Sequence, residues 1–364
     1  MSTRQIFIGK VAVGGGAAVS IQSMCNTPTA DVDCTLGQIN RLAGAGCDII
    51  RLAVPDMASA QAFRDITASS PIPVIADIHF DYRLAVAAIE NGAAAVRVNP
   101  GNLGGDDAVK AVACALKEYN VPVRVGANSG SLPKDFTAHL SAENPAEHDE
   151  LLSDALVESV LRQAQAFEKY GVKDIKVSLK ASSVPATVKA YRKMAARADY
   201  TLHVGVTEAG TPAKGVVKSA CGIGALLLDG IGDTIRVSLT ADPVQEVIAA
   251  IRILESVGLR DSAPDLIACP TCGRTRIDLV GMAEKVENLI NRIKVEKGII
   301  NLKKVAVMGC VVNGPGEARD ADVGIAGGDG KVVLFRKGVI EATLSETEGF
   351  AALEKIIREN TVWK

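Results

Sequence analysis

The feature that most constrains the fold is a repeat of short β-branched segments that alternate with amphipathic helical segments between residues 17 and 240. Each unit indicates a strand, a polar turn and a helix, and the pattern predicts eight such units. Eight units over about 250 residues are typical of a closed (β/α)8 barrel. A doubly wound open sheet is the alternative, and the regularity of the units favours closure. We therefore predict a TIM barrel over residues 1–260.

The strand and helix predictions follow from the period of the apolar residues and from glycines that suit helix C-termini. The predicted strands are Val19–Met24, Asp48–Val54, Pro73–His79, Ala94–Asn99, Pro122–Asn128, Asp174–Lys180, Thr201–Thr207 and Thr234–Leu239. The helical patterns that follow them include Thr35–Ala45, Tyr82–Asn91, Asp149–Tyr170 and Pro243–Val257.

Polar side chains recur at the C-terminal ends of these strands, where barrel enzymes carry their active sites. Residues two apart in a strand point to the same face, so we expect these side chains to converge in the barrel mouth. The set is Arg51, Asp77, His79, Arg97, Asn99, Arg124, Asn128, Lys176, Ser178, Lys180, His203, Thr207, Glu208, Arg236 and Ser238. Six cations against Asp77 and Glu208 predict an anionic ligand, and a diphosphate or two phosphates would match this excess.

The pattern changes after Arg260, and Asp261–Pro264 indicates a linker to a second domain at residues 265–364. The shorter elements that follow predict a small α+β domain. Its predicted strands are Leu266–Ala268, Lys304–Met308, Val323–Ala326 and Val332–Phe335, and its predicted helices are Ile277–Val295 and Gly349–Glu359.

Three cysteines of this second domain are spaced as metal ligands. Cys269 and Cys272 form a Cys-x-x-Cys pair, and Cys310 follows a later predicted strand. Three thiolates can hold an iron–sulfur cluster, which normally takes four ligands. The nearest acidic side chain after Cys310 is Glu317, which could be the fourth ligand. A structural zinc site is the alternative, although such sites usually have four Cys or His ligands.

Charge and composition narrow the classes of partner. The formal net charge is −2, which gives no overall attraction to nucleic acid or to a membrane surface. The N-terminus lacks the order of a signal peptide, so we expect a cytoplasmic protein whose eight cysteines are thiols or ligands.

The residues above resemble the 4-hydroxy-3-methylbut-2-enyl diphosphate synthases of the methylerythritol phosphate route to isoprenoids. The resemblance covers nearly the whole chain. It is carried by Ile21–Met24, Ala76–Phe80, Arg97–Asn102, Lys176–Ser182, Gly205–Gly210, Gly230–Ser238, Ala268–Cys272 and Gly309–Glu317. One departure is Cys25, where the family often has threonine, and we expect it to be a tolerated small residue.

The resemblance implies a reaction, a cofactor and partners. The implied reaction is the two-electron reductive ring opening and dehydration of 2-C-methyl-D-erythritol 2,4-cyclodiphosphate. The implied cofactor is a [4Fe-4S] cluster held by Cys269, Cys272, Cys310 and Glu317. Flavodoxin or ferredoxin is the implied electron donor. The family also implies a homodimer in which the cluster domain of one chain caps the barrel of the other.

The resemblance also implies roles for the residues of the mouth. The positions expected to hold the diphosphate are Arg51, Arg97, Arg124, Asn128, Lys176, Arg236 and Ser238, and Ser178 is included among the substrate-binding residues. The positions expected near the carbon skeleton and the leaving oxygen are Asp77, His79, Asn99, His203 and Glu208. We expect Asp77, His79, Glu208 and Glu317 to be catalytic, with Glu208 or His79 as the proton donor.

Two rival functions use only part of these features. A phosphate-binding aldolase with Lys176 or Lys180 as a Schiff-base nucleophile explains the basic mouth and leaves the cysteines unused. A zinc-stabilised module that binds a phosphorylated metabolite explains the cysteines but needs fewer converging charges.

Overall fold

The computed structural model describes residues 2–99, 102–137, 140, 143–261, 264–296, 298–311 and 318–363. The predicted ligand Glu317 lies outside these residues. The chain divides into two compact units, Met1–Arg260 and Asp261–Lys364.

The first unit contains a closed barrel of eight parallel strands, preceded by a two-stranded hairpin. The hairpin strands are β1 (Gln5–Ile8) and β2 (Val11–Gly14). The barrel strands are β3 (Ser20–Met24), β4 (Ile49–Ala53), β5 (Val74–Asp77), β6 (Ala95–Arg97), β7 (Val123–Asn128), β8 (Ile175–Lys180), β9 (Thr201–Val204) and β10 (Thr234–Ile235). The predicted (β/α)8 barrel is confirmed, and the open sheet is excluded because β10 pairs with both β9 and β3.

Helices follow the barrel strands along the chain. They are α1 (Val32–Gly44), α2 (Met57–Ser69), α3 (Tyr82–Glu90), α4 (Asp106–Glu118), α5 (Lys134–Thr137), α6 (Pro145–Glu168), α7 (Val184–Arg197), α8 (Pro212–Leu228) and α9 (Pro243–Ser256). Six of them begin at a side chain that accepts a hydrogen bond from a first-turn N–H group. These capping residues are Asp31, Asp56, Asp81, Asn144, Ser183 and Asp242. Within the described part of the chain, none of the helices combines the length and apolar character needed to span a bilayer.

The last two barrel strands are shorter than the sequence predicts. The predicted Thr201–Thr207 strand ends at Val204, and the predicted Thr234–Leu239 strand ends at Ile235. Beyond Val204 the chain passes through Gly205 to Glu208, which has a φ of 52°. A left-handed residue cannot continue an extended strand, so the polar residues after Val204 lie on a loop at the mouth.

The N-terminal hairpin, which the sequence analysis did not predict, lies against the N-terminal end of the barrel. Its side chains Ile6, Ile8 and Val13 form one buried apolar cluster with Ile49, Ile75 and Ala95 at the starts of three strands. The backbone N–H of Ser2 also donates to Asp233, immediately before β10. The hairpin therefore closes the end of the barrel opposite the polar strand ends.

The second unit is a small α+β fold, as predicted. Its five-stranded sheet has the order β11 (Asp265–Ala268), β13 (Lys304–Met308), β14 (Val323–Gly327), β15 (Val332–Arg336) and β16 (Val339–Leu344). The first three strands are parallel and the last two are antiparallel. A separate pair joins β12 (Gly298–Ile300) to β17 (Thr361–Trp363). The sequence analysis did not predict β12, β16 or β17.

The described part of the second unit also contains two helices. They are α10 (Leu279–Val295) and the last helix, Glu346–Glu359. The last helix begins with a capping box between Ser345 and Glu348, which satisfies N–H groups at its start. Both helices contribute to the apolar core that covers the sheet, and α10 does so through a stripe at helical spacing that includes Val286 and Ile293.

We predict that Ile8→Ala destabilises the barrel because Ile8 is fully buried in the cluster under the strands. The lost apolar contacts and the cavity should lower the free energy of unfolding by about 3 kcal/mol, measured by chemical denaturation. The control is Phe7→Ala on the exposed face of the same strand, which should change it by less than about 1 kcal/mol. Equal losses of unfolding free energy in the two variants would show that packing of Ile8 against the barrel does not stabilise the fold.

Candidate active site

A row of four charged side chains runs around the inside of the barrel on consecutive strands. The strand register pairs Asp77 with Arg97, Arg97 with Arg124, and Arg124 with Lys176. All four residues are buried. Charges at this depth are costly unless they are compensated, so the contacts of each one indicate what the site lacks.

Asp77 is the central carboxylate of this row. Its oxygens lie 3.7 Å from Nε of Arg51, 3.3 Å from a terminal nitrogen of Arg97 and 3.6 Å from Nε2 of His79. Burial alone would raise the pKa of Asp77. Arg51, the nearby His79 imidazole and Arg97 outweigh burial and hold that pKa well below its usual range. Asp77 is therefore ionised at neutral pH, where it orients the arginines and has no proton to donate.

Arg51 and Arg236 converge on the thioether of Met24. A terminal nitrogen of Arg51 lies 3.0 Å from the Met24 sulfur, and one of Arg236 lies 3.7 Å from it. A thioether is a weak acceptor. The two guanidinium groups are thus brought together by a partner that phosphate oxygens would readily replace.

Glu246 is a buried carboxylate of the mouth that the sequence analysis missed. It lies in the first turn of α9, and its carboxylate is 3.5 Å from Nε of Arg236. It also accepts hydrogen bonds from the backbone N–H of Leu239 at 2.9 Å and from Ser23 at 3.4 Å. Glu246 could have been found from the sequence as an acidic residue in the first turn of the helix after the last barrel strand, because that end of the helix faces the mouth. Glu246, rather than the exposed Glu208, is the second carboxylate that compensates the cations.

Lys176 and Arg124 lack compensating contacts. The Lys176 ammonium nitrogen and two Arg124 nitrogens are buried without a hydrogen-bond partner among the described residues. Burial, and then the neighbouring Arg124 charge, hold the pKa of Lys176 well below its usual value. The pKa of Arg124 is lowered by burial and by Arg51 and Arg97. An anion with several acceptor oxygens would relieve both the repulsion and the unpaired donors.

Lys180 and His203 form a buried pair above this row. The Lys180 ammonium lies 3.2 Å from Nε2 of His203, and Nδ1 of His203 lies 2.8 Å from the Thr234 hydroxyl. His203 is fully buried, and burial and the Lys180 charge hold its pKa well below its usual value. Burial, and then Arg124 and Arg236, likewise lower the pKa of Lys180. The sequence analysis placed Lys180 at a strand end without including it among the expected substrate-binding residues.

The other predicted site residues lie at or near the rim. His79 and Glu208 are exposed, Asn99, Asn128 and Ser238 are half-buried, and Ser178 is buried on β8 beside Gly126. The structure thus brings the predicted cations together inside the barrel and leaves the two predicted proton donors at its edge.

Among the three cysteines of the second unit, Cys269 and Cys310 lie just after two adjacent parallel strands, and Cys272 lies in the loop between β11 and α10. Cys269 directly follows β11, and Cys310 follows β13 by two residues, with Ala268 paired to Val307. The backbone N–H of Gly309 donates to the Cys269 sulfur at 3.1 Å. Because this hydrogen bond links the two strand ends, it holds the Cys269 side chain beside the segment that leads to Cys310.

The chemistry of these sulfurs suits a cluster held by thiolates. Hydrogen bonds from the Arg274 backbone and side chain lower the pKa of the exposed Cys272, which favours its thiolate form. Hydrogen bonds to sulfur, like that on Cys269, are a usual feature of iron–sulfur sites. Among the described residues no group of three His, Cys, Asp or Glu side chains is arranged as a closed metal site. The predicted fourth ligand, Glu317, lies outside the described residues.

Fold and charge together define a TIM-barrel protein whose interior carries a surplus of buried cations. The chain belongs to the GcpE family: the model of the GcpE TIM-barrel domain matches residues 3–251, and that of the GcpE protein C-terminal domain matches residues 265–359.

Curated relatives support this assignment over almost the full length. A protein of Geobacter sulfurreducens is 53% identical over 364 aligned residues, covering 98% of each chain. One from Clostridium perfringens is 51% identical and also covers 98% of each chain. One from Desulfotalea psychrophila is 51% identical over 95% of this chain and 92% of its own. All three are named 4-hydroxy-3-methylbut-2-en-1-yl diphosphate synthase (flavodoxin). The resemblance is confirmed, and the chain is an oxidoreductase of isoprenoid biosynthesis.

We predict that Glu246→Gln destabilises the free protein because it removes the counter-ion of Arg236 while keeping an acceptor for Leu239. The free energy of unfolding should fall by about 2 kcal/mol. Inorganic diphosphate should then raise the melting temperature more in the variant than in the wild type, since the added anion replaces the missing charge. Glu118→Gln, an exposed change on α4, is the control. A smaller diphosphate effect in Glu246→Gln than in the wild type would contradict this account of Glu246.

Proposed function

We propose that the chain converts 2-C-methyl-D-erythritol 2,4-cyclodiphosphate into 4-hydroxy-3-methylbut-2-enyl diphosphate, with two electrons delivered through a [4Fe-4S] cluster. The reaction opens the ring by cleaving a carbon–oxygen bond and releases one water. The observation that carries this proposal is the near-full-length relationship to proteins named for this product. The cationic interior of the barrel supports it independently, because it lacks the negative charge that a diphosphate would bring.

The diphosphate is proposed to lie among the cations of the barrel. Arg51 and Arg236 would exchange the Met24 sulfur for phosphate oxygens, and Arg124 and Lys176 would gain the acceptors that they lack. Ring opening converts a bridging phosphate ester into a free phosphate oxygen, so negative charge develops where these donors converge. Donors already oriented toward such a position stabilise the transition state without further reorganisation.

The remaining substrate-binding residues would complete this site from the strand ends. Arg97 is oriented by Asp77, and Lys180 is held by His203. The other proposed substrate contacts are Asn99, Asn128, Ser178 and Ser238.

Proton transfer is proposed to come from the rim of the mouth. Asp77 is ionised and buried among arginines, which leaves Glu208 and His79 as candidates to protonate the departing oxygen. Glu208 lies at a left-handed backbone position on the loop after β9, which directs the chain out of the barrel wall. An exposed acid in the free protein can approach a substrate seated on the cations below it.

Cys269, Cys272, Cys310 and Glu317 are proposed to hold the [4Fe-4S] cluster. When bound, the cluster would supply electrons to the substrate one at a time. Flavodoxin is the proposed donor because the relatives are named for it, and ferredoxin is the alternative. The homodimer and the cytoplasmic location stay predictions.

The aldolase alternative has one structural observation in its favour. A lysine nucleophile needs a lowered pKa, and both Lys176 and Lys180 have one. Two observations oppose it. Lys176 pairs in register with Arg124, where a bound diphosphate would keep the lysine protonated and therefore not nucleophilic. Lys180 is in contact with His203. Borohydride reduction in the presence of substrate would trap a Schiff base only if the aldolase hypothesis is correct.

We predict about four iron and four sulfide per chain in protein purified without oxygen, and turnover of the cyclodiphosphate under reduction. Cys310→Ser should lose most of the cluster and reduce turnover by at least about 100-fold, because a cluster ligand is removed. Cys114→Ser, on the exposed face of α4, is the matched control and should retain both. Stoichiometric zinc without sulfide would refute the redox function and support the zinc-stabilised module.

We also predict a pH dependence of diphosphate binding that reports on Lys180. Burial and neighbouring cations lower its pKa in the free protein, and a bound anion should raise that pKa again. Between these two pKa values the wild type takes up an extra proton on binding, so its affinity falls as pH rises, by up to about tenfold per pH unit. Lys180→Met should lack this component. Calorimetry in buffers of different ionisation enthalpy measures the uptake, and equal values for the two proteins would contradict the prediction.

A further inference from the structure

We propose that His203 is a positioning residue, which holds the ammonium group of Lys180 toward the bound diphosphate and does not itself contact the substrate. The inference deepens the proposed function and depends on its placement of the diphosphate in the barrel mouth. It assigns His203 a different role from the substrate contact that the sequence predicts.

The position of His203 in its strand is the first support. The register pairs Lys176 with Thr201 and Val177 with Leu202, which places His203 beside Ser178, two residues before the end of β8. His203 is fully buried. Lys180, at the end of β8, therefore lies between the imidazole and the mouth, and the substrate would meet the ammonium group first.

Both ring nitrogens of His203 are engaged. With an anion in the mouth Lys180 is an ammonium ion, which has donors only, so Nε2 of His203 must accept its hydrogen bond. The proton of the neutral ring is then on Nδ1, which donates to the Thr234 hydroxyl at 2.8 Å. The Lys180 ammonium thus selects the tautomer, and the Thr234 hydroxyl, which can donate or accept, accepts from Nδ1. Lys180, Arg124, Lys176 and Arg51 all disfavour a second proton on the ring.

The backbone around this pair is held by a second set of contacts. The Tyr191 hydroxyl, fully buried on α7, donates to the carbonyl of His203 and accepts from the N–H of Leu179, the residue before Lys180. One phenol therefore ties the strand of the histidine to the strand of the lysine. This link fixes the spacing between the two side chains independently of their own hydrogen bond.

The absence of a side chain at Gly205 leaves the space that the Lys180 ammonium group occupies. A Cβ atom at Gly205, two residues after His203, would lie 2.8 Å from Nζ of Lys180 and 2.5 Å from the carbonyl oxygen of Arg236. Any side chain there would occupy the space of the ammonium group. The ammonium group of Lys180 is thus held by His203 and occupies the space beside Gly205, next to the segment after β10 that contains Arg236.

The test is a double-mutant cycle on the affinity of the full chain for inorganic diphosphate, measured by calorimetry. Lys180→Met and His203→Leu should each weaken binding by about 10-fold, the scale of a hydrogen bond to a charged group. The double variant should be within about threefold of Lys180→Met, because His203 acts only through the lysine. Losses that multiply in the double variant would overturn the proposal, since His203 would then act on the ligand or the fold by itself.

His203→Gln serves as the conservative variant, because its amide oxygen can accept from Lys180 near the position of Nε2. It should bind diphosphate within about threefold of the wild type. A loss as large as that of His203→Leu, in variants of equal melting temperature, would argue against positioning.

Nitrogen-15 spectra of histidine-labelled wild type with diphosphate bound test the geometry without any variant. They should show a neutral ring protonated at Nδ1, and protonation at Nε2 would overturn the proposal whether or not His203→Leu folds. If the wild type fails to bind diphosphate, the proposed substrate site is wrong, whereas binding together with a ring protonated at Nε2 would overturn the positioning role alone.

Discussion

Repulsion among cations confined inside one barrel is the constraint on which the rest of this structure depends. Six positive side chains point into the same interior, and the carboxylates within ion-pair distance of them, among the described residues, are Asp77 and Glu246. Asp77 forms ion pairs with Arg51 on β4 and Arg97 on β6. Glu246, in the first turn of α9, forms one with Arg236. The surplus charge destabilises the free protein, and under the proposed function it becomes binding energy for an anion, so stability and function oppose each other at this site.

The sequence predicts which face of each strand is charged, because side chains alternate with a period of two. The sequence predicts less well how deep inside the barrel each side chain lies. The sequence places Asp77 and His203 only at strand ends, and the structure adds that each is buried and contacts a neighbouring cation. Depth in a barrel depends on strand tilt and on the stagger between neighbours, which no single strand encodes. A histidine one residue before the end of its strand, such as His203 on β9, and a lysine at the end of the preceding strand, such as Lys180 on β8, therefore look alike in the sequence.

Glu246 and the N-terminal hairpin show a second limit of the sequence. Glu246 belongs to a helix whose apolar stripe packs on the barrel, and only the tertiary fold reveals that its first turn reaches Arg236. The hairpin strands have four residues each and precede the repeat, so their apolar residues match no unit of the barrel pattern. The cysteine predictions needed less tertiary information, because Cys269 and Cys310 follow strands that the sequence identifies directly.

Because the hairpin closes the lower end of the barrel, the described residues leave the interior open at the C-terminal strand ends. Ile6, Ile8 and Val13 fill the end opposite the charges, so a ligand among the arginines has no exit through the floor. A substrate bound among these cations, as proposed, would enter by the rim, and its product and water would pass the same way. Any cover over that rim would therefore control solvent access and product departure together, and its rate of uncovering would set an upper limit on turnover.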